Sequence, residues 1–416
     1  MFTQGKRGKG QVTLLEFTEI ERAAEYLQGK IYRTPLLFSE LFSKIFQANV
    51  YLKLENMQIA GSFKARGALY KIAQCRRRIS AKGVVAASAG NHAQGVALAA
   101  QRQELPCTIV MPQNASIGKQ LATKSYGARI ILEGRNLAES LETASRLEQE
   151  GYFFIHPFDD AHIIAGQGTI GLEILHQLPE VEEVWVPVGG GGLISGVALA
   201  LKSKKPSVHI VGVEAKHCPS ASEALRQNRP VKVEPKQTVA DGIAVPRVGE
   251  LNFPLLRRYV DRILTVGEDQ IYMAMVELME KKKILAEGSG AAPLAALFSA
   301  PKEELRGKNI VLLISGGNVD LSLVGRILEK GLLLSGRIMR IRVIIDDVPG
   351  SLVSLLHLLS GLQGNILHIF HDRIGLEVPV GRTGVEIQLE TLSDSHAQDI
   401  LEALEKNGFK VEAKIP

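Results

Sequence analysis

The chain has 416 residues, 45% of them hydrophobic and 22% charged, and its net charge is +5. This composition excludes an intrinsically disordered chain and supports a sizeable core in two or three domains. Basic residues are scattered and no apolar run reaches about 18 residues, which disfavours nucleic-acid binding and a membrane span. The three cysteines, Cys75, Cys107 and Cys218, are far apart. They indicate neither a disulfide framework nor a zinc ribbon, and they suit a reducing cytoplasm.

The N-terminal region is followed by an alternation of apolar and helical patterns. Residues 1–17 are predicted to be a flexible tail, since the first ten are basic and glycine-rich without an apolar segment. From Gly83 onward, short apolar runs that predict strands are separated by helical stretches. The predicted strands are 84–87, 107–111, 128–132, 184–188, 208–213 and 309–314. Such runs between helices indicate parallel strands covered on both faces, and therefore an α/β class.

The pattern changes near the C-terminus. Residues 332–336 are predicted to be a hinge, and 337–416 a separate α+β domain. Within that domain the order is strand, helix, strand, strand, helix, strand, which is the ferredoxin-like order.

Four short motifs carry the chemistry. Lys64 lies in the run Gly-Ser-Phe-Lys of residues 61–64, and a lysine that forms imines needs a dry pocket and a flexible stem. The other three motifs are 88–95, the tetraglycine 189–192 and Ser-Gly-Gly-Asn at 315–318. Together they supply an amine, an anion-binding loop, a phosphate cradle and a partner for a ring nitrogen. A pyridoxal-phosphate enzyme requires this inventory.

The order and spacing of these motifs resemble those of the serine/threonine dehydratases. The lysine motif comprises Tyr-Leu-Lys-Leu-Glu-Asn at 51–56 and Gly-Ser-Phe-Lys at 61–64. The resemblance implies a pyridoxal 5′-phosphate-dependent catalytic domain over 18–331, of fold type II (tryptophan synthase β-like). It would have two parallel-sheet subdomains, the smaller at about 56–151. Residues 337–416 resemble an ACT regulatory domain, and the pair resembles the medium-length threonine dehydratases.

The resemblance also assigns the cofactor site. Lys64 would form the imine and then act as general base, while Asn91 would bind the phenolic oxygen and Ser315 the pyridine nitrogen. Phe63 would pack on the ring, although an ordinary core aromatic is an equal alternative, and Asn91 by itself could be a helix N-cap. The residues expected to bind the cofactor are Lys64, Phe63, Asn91, Gly189, Gly190, Gly191, Gly192, Leu193, Gly242 and Ser315.

The expected substrate is L-threonine, deaminated to 2-oxobutanoate and ammonia, with L-serine as a secondary substrate. The resemblance places its carboxylate at the loop Ser88, Ala89 and Gly90, and its methyl group near Phe158. His92 is as compatible with a structural role as with a catalytic one. Serine racemases have a serine at the position of Ala89 as a second proton donor. Alanine cannot transfer a proton, so elimination is favoured over racemisation.

A competing glycine motif lies at residues 166–171. Gly-Gln-Gly-Thr-Ile-Gly fits the dinucleotide fingerprint, but 161–165 is a poor strand and no acidic residue ends the next strand. We therefore expect these glycines to allow close packing of a helix.

The remaining expectations concern regulation and alternatives. Glu214 corresponds to a cation ligand of some relatives, but Ser220 replaces their aspartate, so a metal site is doubtful. An amino-acid effector such as isoleucine or valine would bind near Asp347, Pro349, Gly350 and Ser351, and a homodimer or homotetramer is expected. Isoleucine biosynthesis and threonine catabolism both stay open. The alternatives are a serine-preferring dehydratase or racemase, and a non-catalytic amino-acid-binding regulator.

Overall fold

The computed structural model describes residues 15–373 and 378–415, which separate into two units, one ending at Asp320 and one beginning at Leu321. In the first unit the helices are α1 Phe17–Leu27, α2 Glu40–Phe46, α3 Lys64–Cys75, α4 Asn91–Arg102, α5 Ile117–Lys124, α6 Leu137–Gln149, α7 Ala161–Gln177, α8 Gly192–Lys204, α9 Ser220–Gln227, α10 Asn252–Tyr259, α11 Glu268–Lys282, α12 Gly288–Ser299 and α13 Lys302–Leu305. Its strands are β1 Leu36–Phe38, β2 Asn49–Leu54, β3 Val84–Ala87, β4 Cys107–Met111, β5 Arg129–Leu132, β6 Phe153–Phe154, β7 Glu183–Pro187, β8 His209–Ala215, β9 Arg262–Val266 and β10 Asn309–Ile314. Short 3₁₀ turns lie at Glu55–Met57, Ile59–Gly61, Arg76–Arg78 and Asp241–Ile243.

Two sheets form the first unit, and both are predominantly parallel. The larger has the order β1-β2-β10-β7-β8-β9, with only β1 antiparallel to its neighbour. The smaller has the order β5-β4-β3-β6 and is parallel throughout. Every residue of β3, β4 and β7 is buried, as expected for strands covered by helices on both faces. The α/β prediction with two parallel-sheet subdomains is confirmed.

The smaller sheet extends beyond the predicted subdomain. Its strand β6 occupies residues 153–154, after the predicted end at 151, because Val84 and Val85 of β3 pair with two phenylalanines there. The predicted tail is also too long by one residue, since α1 begins at Phe17. Residues 1–14 lie outside the described part of the chain.

The glycines of the 166–171 motif lie inside α7, where they allow helices to approach closely. A Cβ on Gly166 would come within 2.6 Å of the Cα of Gly67 in α3. One on Gly168 would meet the carbonyl oxygen of Gly196 in α8 at 2.8 Å. These distances agree with the expectation that the glycines allow close packing of a helix.

The second unit consists of α14 Leu321–Leu334, β11 Ile338–Asp346, α15 Ser351–Gly361, β12 Asn365–Asp372, β13 Arg382–Glu390, α16 Asp394–Lys406 and β14 Lys410–Ile415. Its antiparallel sheet has the order β12-β13-β11-β14, the ferredoxin-like arrangement found in ACT domains. Alternate residues of β11 and β13 point into the core, among them Ile341, Val343, Val385 and Ile387.

The boundary between the units differs from the prediction. The residues 332–334, expected to be part of a hinge, are the last residues of α14, and the chain turns only at Ser335 and Gly336, with Gly336 at φ +64°. Because α14 groups with the second unit, that unit begins at Leu321 instead of near 337. Among the described residues, no helix combines the length and apolar character that crossing a membrane requires.

Candidate cofactor site

The loops after the carboxyl ends of parallel strands carry the four sequence motifs. Lys64 follows β2, the tetraglycine follows β7, and Ser315 follows β10; these three strands belong to the larger sheet. Ser88 follows β3 of the smaller sheet. Ligands of open α/β sheets bind outside the carboxyl ends of strands, so this topology places the motifs where a ligand is expected.

Lys64 is the first residue of α3, and the loop before it is attached to the end of β10. Ser62 forms an antiparallel bridge with Gly316, and the Phe63 N–H donates to the Ser315 carbonyl at 3.1 Å. The Lys64 Nζ donates to the carbonyl of Pro157 at 2.8 Å and lies 5.2 Å from the centroid of the Phe63 ring. The side chain is therefore held near Phe63 and not in solvent.

The electrostatic surroundings of Lys64 favour a reactive amine. Burial lowers the pKa of Lys64 to about 8, although the Glu287 carboxyl acts in the opposite direction. Near neutral pH a useful fraction of the amine is then unprotonated, which nucleophilic attack and proton abstraction both require.

The tetraglycine loop turns directly into α8. Gly191, at φ +94°, occupies the left-handed region that side chains disfavour, and the chain then enters the helix at Gly192. The Gly190 carbonyl accepts from the Gly249 N–H and from Asn252 Nδ2, both at 3.1 Å. The first-turn N–H groups, including that of Leu193, have no acceptor within the helix and suit an anion such as a phosphate.

Phe158 packs against this loop. A Cβ on Gly190 would come within 2.5 Å of the Phe158 ring, and one on Gly192 within 2.8 Å of its carbonyl oxygen. The ring also meets His156 edge-on, with centroids 4.7 Å apart. The structure therefore places Phe158 between the Pro157 carbonyl that accepts from Lys64 and the tetraglycine loop.

The loop 88–90 leaves space in front of its backbone. The Gly90 N–H donates to Ser88 Oγ at 3.1 Å, and a Cβ on Gly90 would meet nothing within 4 Å. Ala89 is half-buried beside it. His92 is turned inward: its Nε2 donates to the Ile155 carbonyl at 3.0 Å, and burial lowers its pKa to about 3. This neutral, bonded ring supports the structural interpretation of His92.

Asn91 contacts Asn318, a member of the 315–318 motif that had been assigned no role, and Glu287, which the sequence analysis missed. Its Nδ2 donates to Glu287 Oε1 and its Oδ1 accepts from Asn318 Nδ2, both at 2.7 Å. Burial raises the pKa of Glu287 to about 8, with Asp241 adding to the rise and Asn91 opposing it. The only sequence signal was a glutamate immediately before Gly-Ser-Gly at a helix start, one of 44 acidic residues.

Gly242 lies beside Glu287. A Cβ on Gly242 would meet Ser289 Oγ at 2.7 Å and Glu287 Oε1 at 3.6 Å. Ser289 Oγ is buried and has no hydrogen-bond partner among the residues that the structure describes. A buried hydroxyl without a partner is costly unless a ligand or water completes it.

These contacts link several of the predicted residues into one site. The Lys64 amine donates to the Pro157 carbonyl, and the next residue, Phe158, packs against the tetraglycine. A Cβ added to Gly189 would lie 3.0 Å from the Cα of Ile243. Gly242, the neighbour of Ile243, lies beside Glu287. The Glu287 N–H donates to the Gly316 carbonyl, and Gly316 forms a bridge with Ser62 in the loop before Lys64. An amine, a phosphate-binding helix terminus, open backbone at Gly90 and an unsatisfied hydroxyl fit pyridoxal phosphate.

Comparisons with known proteins agree with this fit. Residues 27–316 match the family model described as pyridoxal-phosphate dependent enzyme. The L-threonine ammonia-lyase of Thermotoga maritima is 46% identical over 96% of this chain and 99% of its own length. The chain belongs to the pyridoxal-phosphate-dependent enzymes, in the family of L-threonine ammonia-lyases. The catabolic L-threonine dehydratase of Staphylococcus aureus (strain N315) is 47% identical over 77% of this chain and 93% of its own length. The solved structure of maize serine racemase matches with a TM-score of 0.71 and 35% identity, covering 77% of this chain and 98% of that one.

Family members of this kind need a rigidly placed lysine, and α3 is anchored here by buried charges. Arg66 binds both Glu55 and Glu173, with N–O distances of 2.7 and 2.6 Å. Lys53 reaches Glu173 at 2.6 Å and the Thr34 carbonyl at 2.8 Å. Lys53 and Glu55 belong to the 51–56 motif, whose structural purpose the sequence analysis did not assign.

The Glu214 carboxylate is hydrogen-bonded to the start of a helix. It accepts from the backbone N–H groups of Ala221 and Ser222 at 2.5 and 2.9 Å, at the start of α9. Burial raises its pKa. Within residues 15–373 and 378–415, no group of three or more acidic, histidine or cysteine residues is arranged to hold a metal ion.

In the second unit, the four residues named for an effector surround the start of α15. Gly350 has φ +97° and precedes the helix, and a Cβ there would meet nothing within 4 Å. Asp347 Oδ1 pairs with Arg373 Nε at 3.1 Å. Pro349 and Gly350 lie before the helix rather than inside it, and Ser351 is its first residue.

Proposed function

We propose that this chain deaminates L-threonine to 2-oxobutanoate and ammonia. The observation that carries the proposal is the buried Lys64 amine, which neighbouring contacts link to the tetraglycine at the start of α8. The names of the relatives from Thermotoga maritima and Staphylococcus aureus support threonine as the substrate.

The cofactor site divides between binding and orienting residues. When bound, pyridoxal phosphate withdraws electrons from the Cα of an amino acid joined to its aldehyde carbon. The N–H groups of the tetraglycine and Leu193 would hold the phosphate, and Asn91 would donate to the phenolic oxygen. Ser315, buried after β10, would face the pyridine nitrogen, and Phe63 and Gly242 would lie near the ring.

Lys64 would remove the Cα proton. Its pKa of about 8 suits a general base near neutral pH. The backbone at Ser88, Ala89 and Gly90 would bind the substrate carboxylate. The Cβ hydroxyl would leave as hydroxide, which with the proton taken by Lys64 makes one water. Since Ala89 has no proton to give to the opposite face of Cα, elimination would be favoured over racemisation.

The test is 2-oxoacid formation from L-threonine by purified holoenzyme. Lys64→Ala should lower the rate by roughly a thousandfold or more, because it removes the general base. The matched control is Lys44→Ala, which removes an exposed lysine paired with Glu40 and should keep the wild-type rate. Cofactor binding without any 2-oxoacid from L-threonine would refute the proposed substrate.

The alternatives differ in substrate or chemistry. L-Serine lacks only one methyl group, a difference worth about 1–3 kcal/mol, so it should react as a secondary substrate. A serine-preferring enzyme would give the higher kcat/KM for L-serine, and a racemase would form D-serine. A non-catalytic regulator would release no ammonia; the presence of Lys64, Asn91 and Ser315 in one site disfavours it.

The second unit is proposed to be a regulatory ACT domain. The open backbone around Gly350 and Ser351 would bind an amino-acid effector such as isoleucine or valine, with Asp347 and Pro349 shaping the loop. Inhibition by isoleucine would support a biosynthetic role and its absence a catabolic one. We further propose a cytoplasmic homodimer or homotetramer.

A further inference from the structure

Asn91 is the third of four polar groups joined in a row. Asn318 Nδ2 donates to the Ala60 carbonyl at 2.8 Å and to Asn91 Oδ1 at 2.7 Å. Asn91 Nδ2 then donates to Glu287 Oε1 at 2.7 Å. We call the row Ala60, Asn318, Asn91 and Glu287 the polar relay. It joins the residue before the Gly-Ser-Phe-Lys run of the lysine motif to the 88–95 and 315–318 motifs, and ends at Glu287.

The relay fixes the direction of the Asn91 amide. A backbone carbonyl only accepts hydrogen bonds, so Asn318 must turn its Nδ2 toward Ala60. The same Nδ2 then requires an acceptor in Asn91, namely Oδ1. Asn91 must therefore present its Nδ2 to Glu287, whose Oε1 accepts. The reversed Asn91 amide would place two donors together at Asn318.

The backbone is shaped around these side chains. Ala60 has the left-handed angles φ +62° and ψ +18°, uncommon for a residue other than glycine. A Cβ on Gly61 would overlap the Asn318 carboxamide, coming within 3.0 Å of its Cγ. A Cβ on Gly316 would lie 2.5 Å from Glu287 Oε1 and 3.1 Å from Asn91 Nδ2. Glycines of two motifs thus make room for the relay.

Glu287 is itself held in place. Its N–H donates to the Gly316 carbonyl at 3.1 Å, and the residue is only 6% exposed. The charged groups that face it are Asp241, Lys119 and Lys64. Either protonation state of the carboxyl offers an oxygen that accepts from Asn91, so the contact depends on geometry and not on titration.

We propose that Glu287 and Asn318 are positioning residues that fix the Asn91 amide and leave its second Nδ2 hydrogen free for the cofactor's phenolic oxygen. This inference rests on the cofactor role proposed above for Asn91. It concerns cofactor binding and electronic state, and does not depend on which amino acid reacts.

Three variants and one control test the inference. Glu287→Ala removes the acceptor, Glu287→Gln keeps an acceptor oxygen of the same reach, and Asn318→Asp replaces the donor by a second acceptor. The control Asn49→Asp makes the same change in an exposed amide pair with Asn309, where the N–O distance is 3.0 Å. Each apoprotein is titrated with pyridoxal phosphate, and the absorption spectrum of the bound cofactor is recorded.

Glu287→Ala and Asn318→Asp should bind pyridoxal phosphate roughly tenfold more weakly, the cost of one charge-assisted hydrogen bond. Their spectra should also change, because absorption reports the proton at the phenolic oxygen. Glu287→Gln and Asn49→Asp should stay within about twofold of wild type. Since Asn318 is half-exposed, its variant tests the relay even where Glu287→Ala fails to fold.

Two results would overturn the inference. One is an unchanged affinity and spectrum in Asn318→Asp; the other is Glu287→Gln that behaves like Glu287→Ala. Failure of threonine deamination in wild type would overturn the proposed substrate but leave these cofactor measurements interpretable.

Discussion

Two glycine-rich segments, about twenty residues apart, serve opposite purposes. In α7, Gly166, Gly168 and Gly171 have ordinary helical angles and are required because backbone or small side chains of α3 and α8 lie against them. In the tetraglycine, Gly191 is required for its own left-handed φ of +94° and leaves N–H groups available at the start of α8. One segment brings protein against protein, and the other leaves space for a ligand.

Two buried lysines near α3 differ in the same way: one bonds to other parts of the protein, and the other lies in the candidate cofactor site. Lys53, behind α3, meets Glu173, Gln177 and the Thr34 carbonyl. Lys64, at the front of α3, donates to the neutral carbonyl of Pro157. Burial lowers the pKa of both amines, but the hydrogen-bonded Glu173 carboxylate opposes this at Lys53, whereas Lys64 has no bonded carboxylate among the described residues. A glycine or lysine motif therefore indicates a function only after its neighbours are known.

The largest effect is expected from Gly166→Ala. The added methyl would lie 2.6 Å from the Cα of Gly67 and 2.9 Å from the Arg66 carbonyl, so α3 and α7 must separate. Urea unfolding of the apoprotein should show a loss of about 3 kcal/mol, the upper part of the range for overpacking. Gly325→Ala is the matched helical control; its Cβ meets nothing within 4 Å, and a gain of up to about 1 kcal/mol is expected. Equal stabilities of the two variants would contradict the packing role.

Gly191→Ala should act mainly on the ligand. Its Cβ would approach Leu256 Cδ1 at 2.7 Å and the left-handed φ would be strained by about 1–2 kcal/mol. The loop should shift, and affinity for pyridoxal phosphate should fall roughly tenfold, the cost of one hydrogen bond to a charged group. Gly29→Ala, with φ +73° and open space, imposes similar strain elsewhere and should leave that affinity unchanged. A similar drop in both variants would attribute the effect to general instability.

The sequence predicts most of the sheet region because its strands are buried apolar runs. Strands β3, β4 and β10 have the predicted bounds. The tetraglycine and Ser315 each follow a predicted strand. Lys64 was joined to them by the family resemblance, and the structure shows that it too follows a strand of the same sheet, β2. Glu287 could not be found this way, since its partner Asn91 is 196 residues distant and only the three-dimensional contact distinguishes it from other acidic residues.

The unit boundary was missed for another reason. The prediction kept residues 321–331 in the catalytic domain and began the hinge at 332, inside α14, which ends at Leu334. Helix α14 groups with the second unit through tertiary contacts, including those with β11. Periodicity reports a helix but not the neighbours against which it packs.

The smallest effect concerns protonation, and it sharpens the contrast between the two lysines. Burial lowers the pKa of Lys64 to about 8, so the neutral amine should increase about threefold between pH 7.5 and 8.5 and then level off. The rate at which apoenzyme captures pyridoxal phosphate, followed by stopped-flow absorbance, should rise by the same factor. An N-acetyl-lysine amine, with its ordinary pKa near 10.4, should react about tenfold faster over that interval. A tenfold rise for the protein would mean that Lys64 is solvated like a surface lysine. Burial would then not explain how Lys64 differs from Lys53.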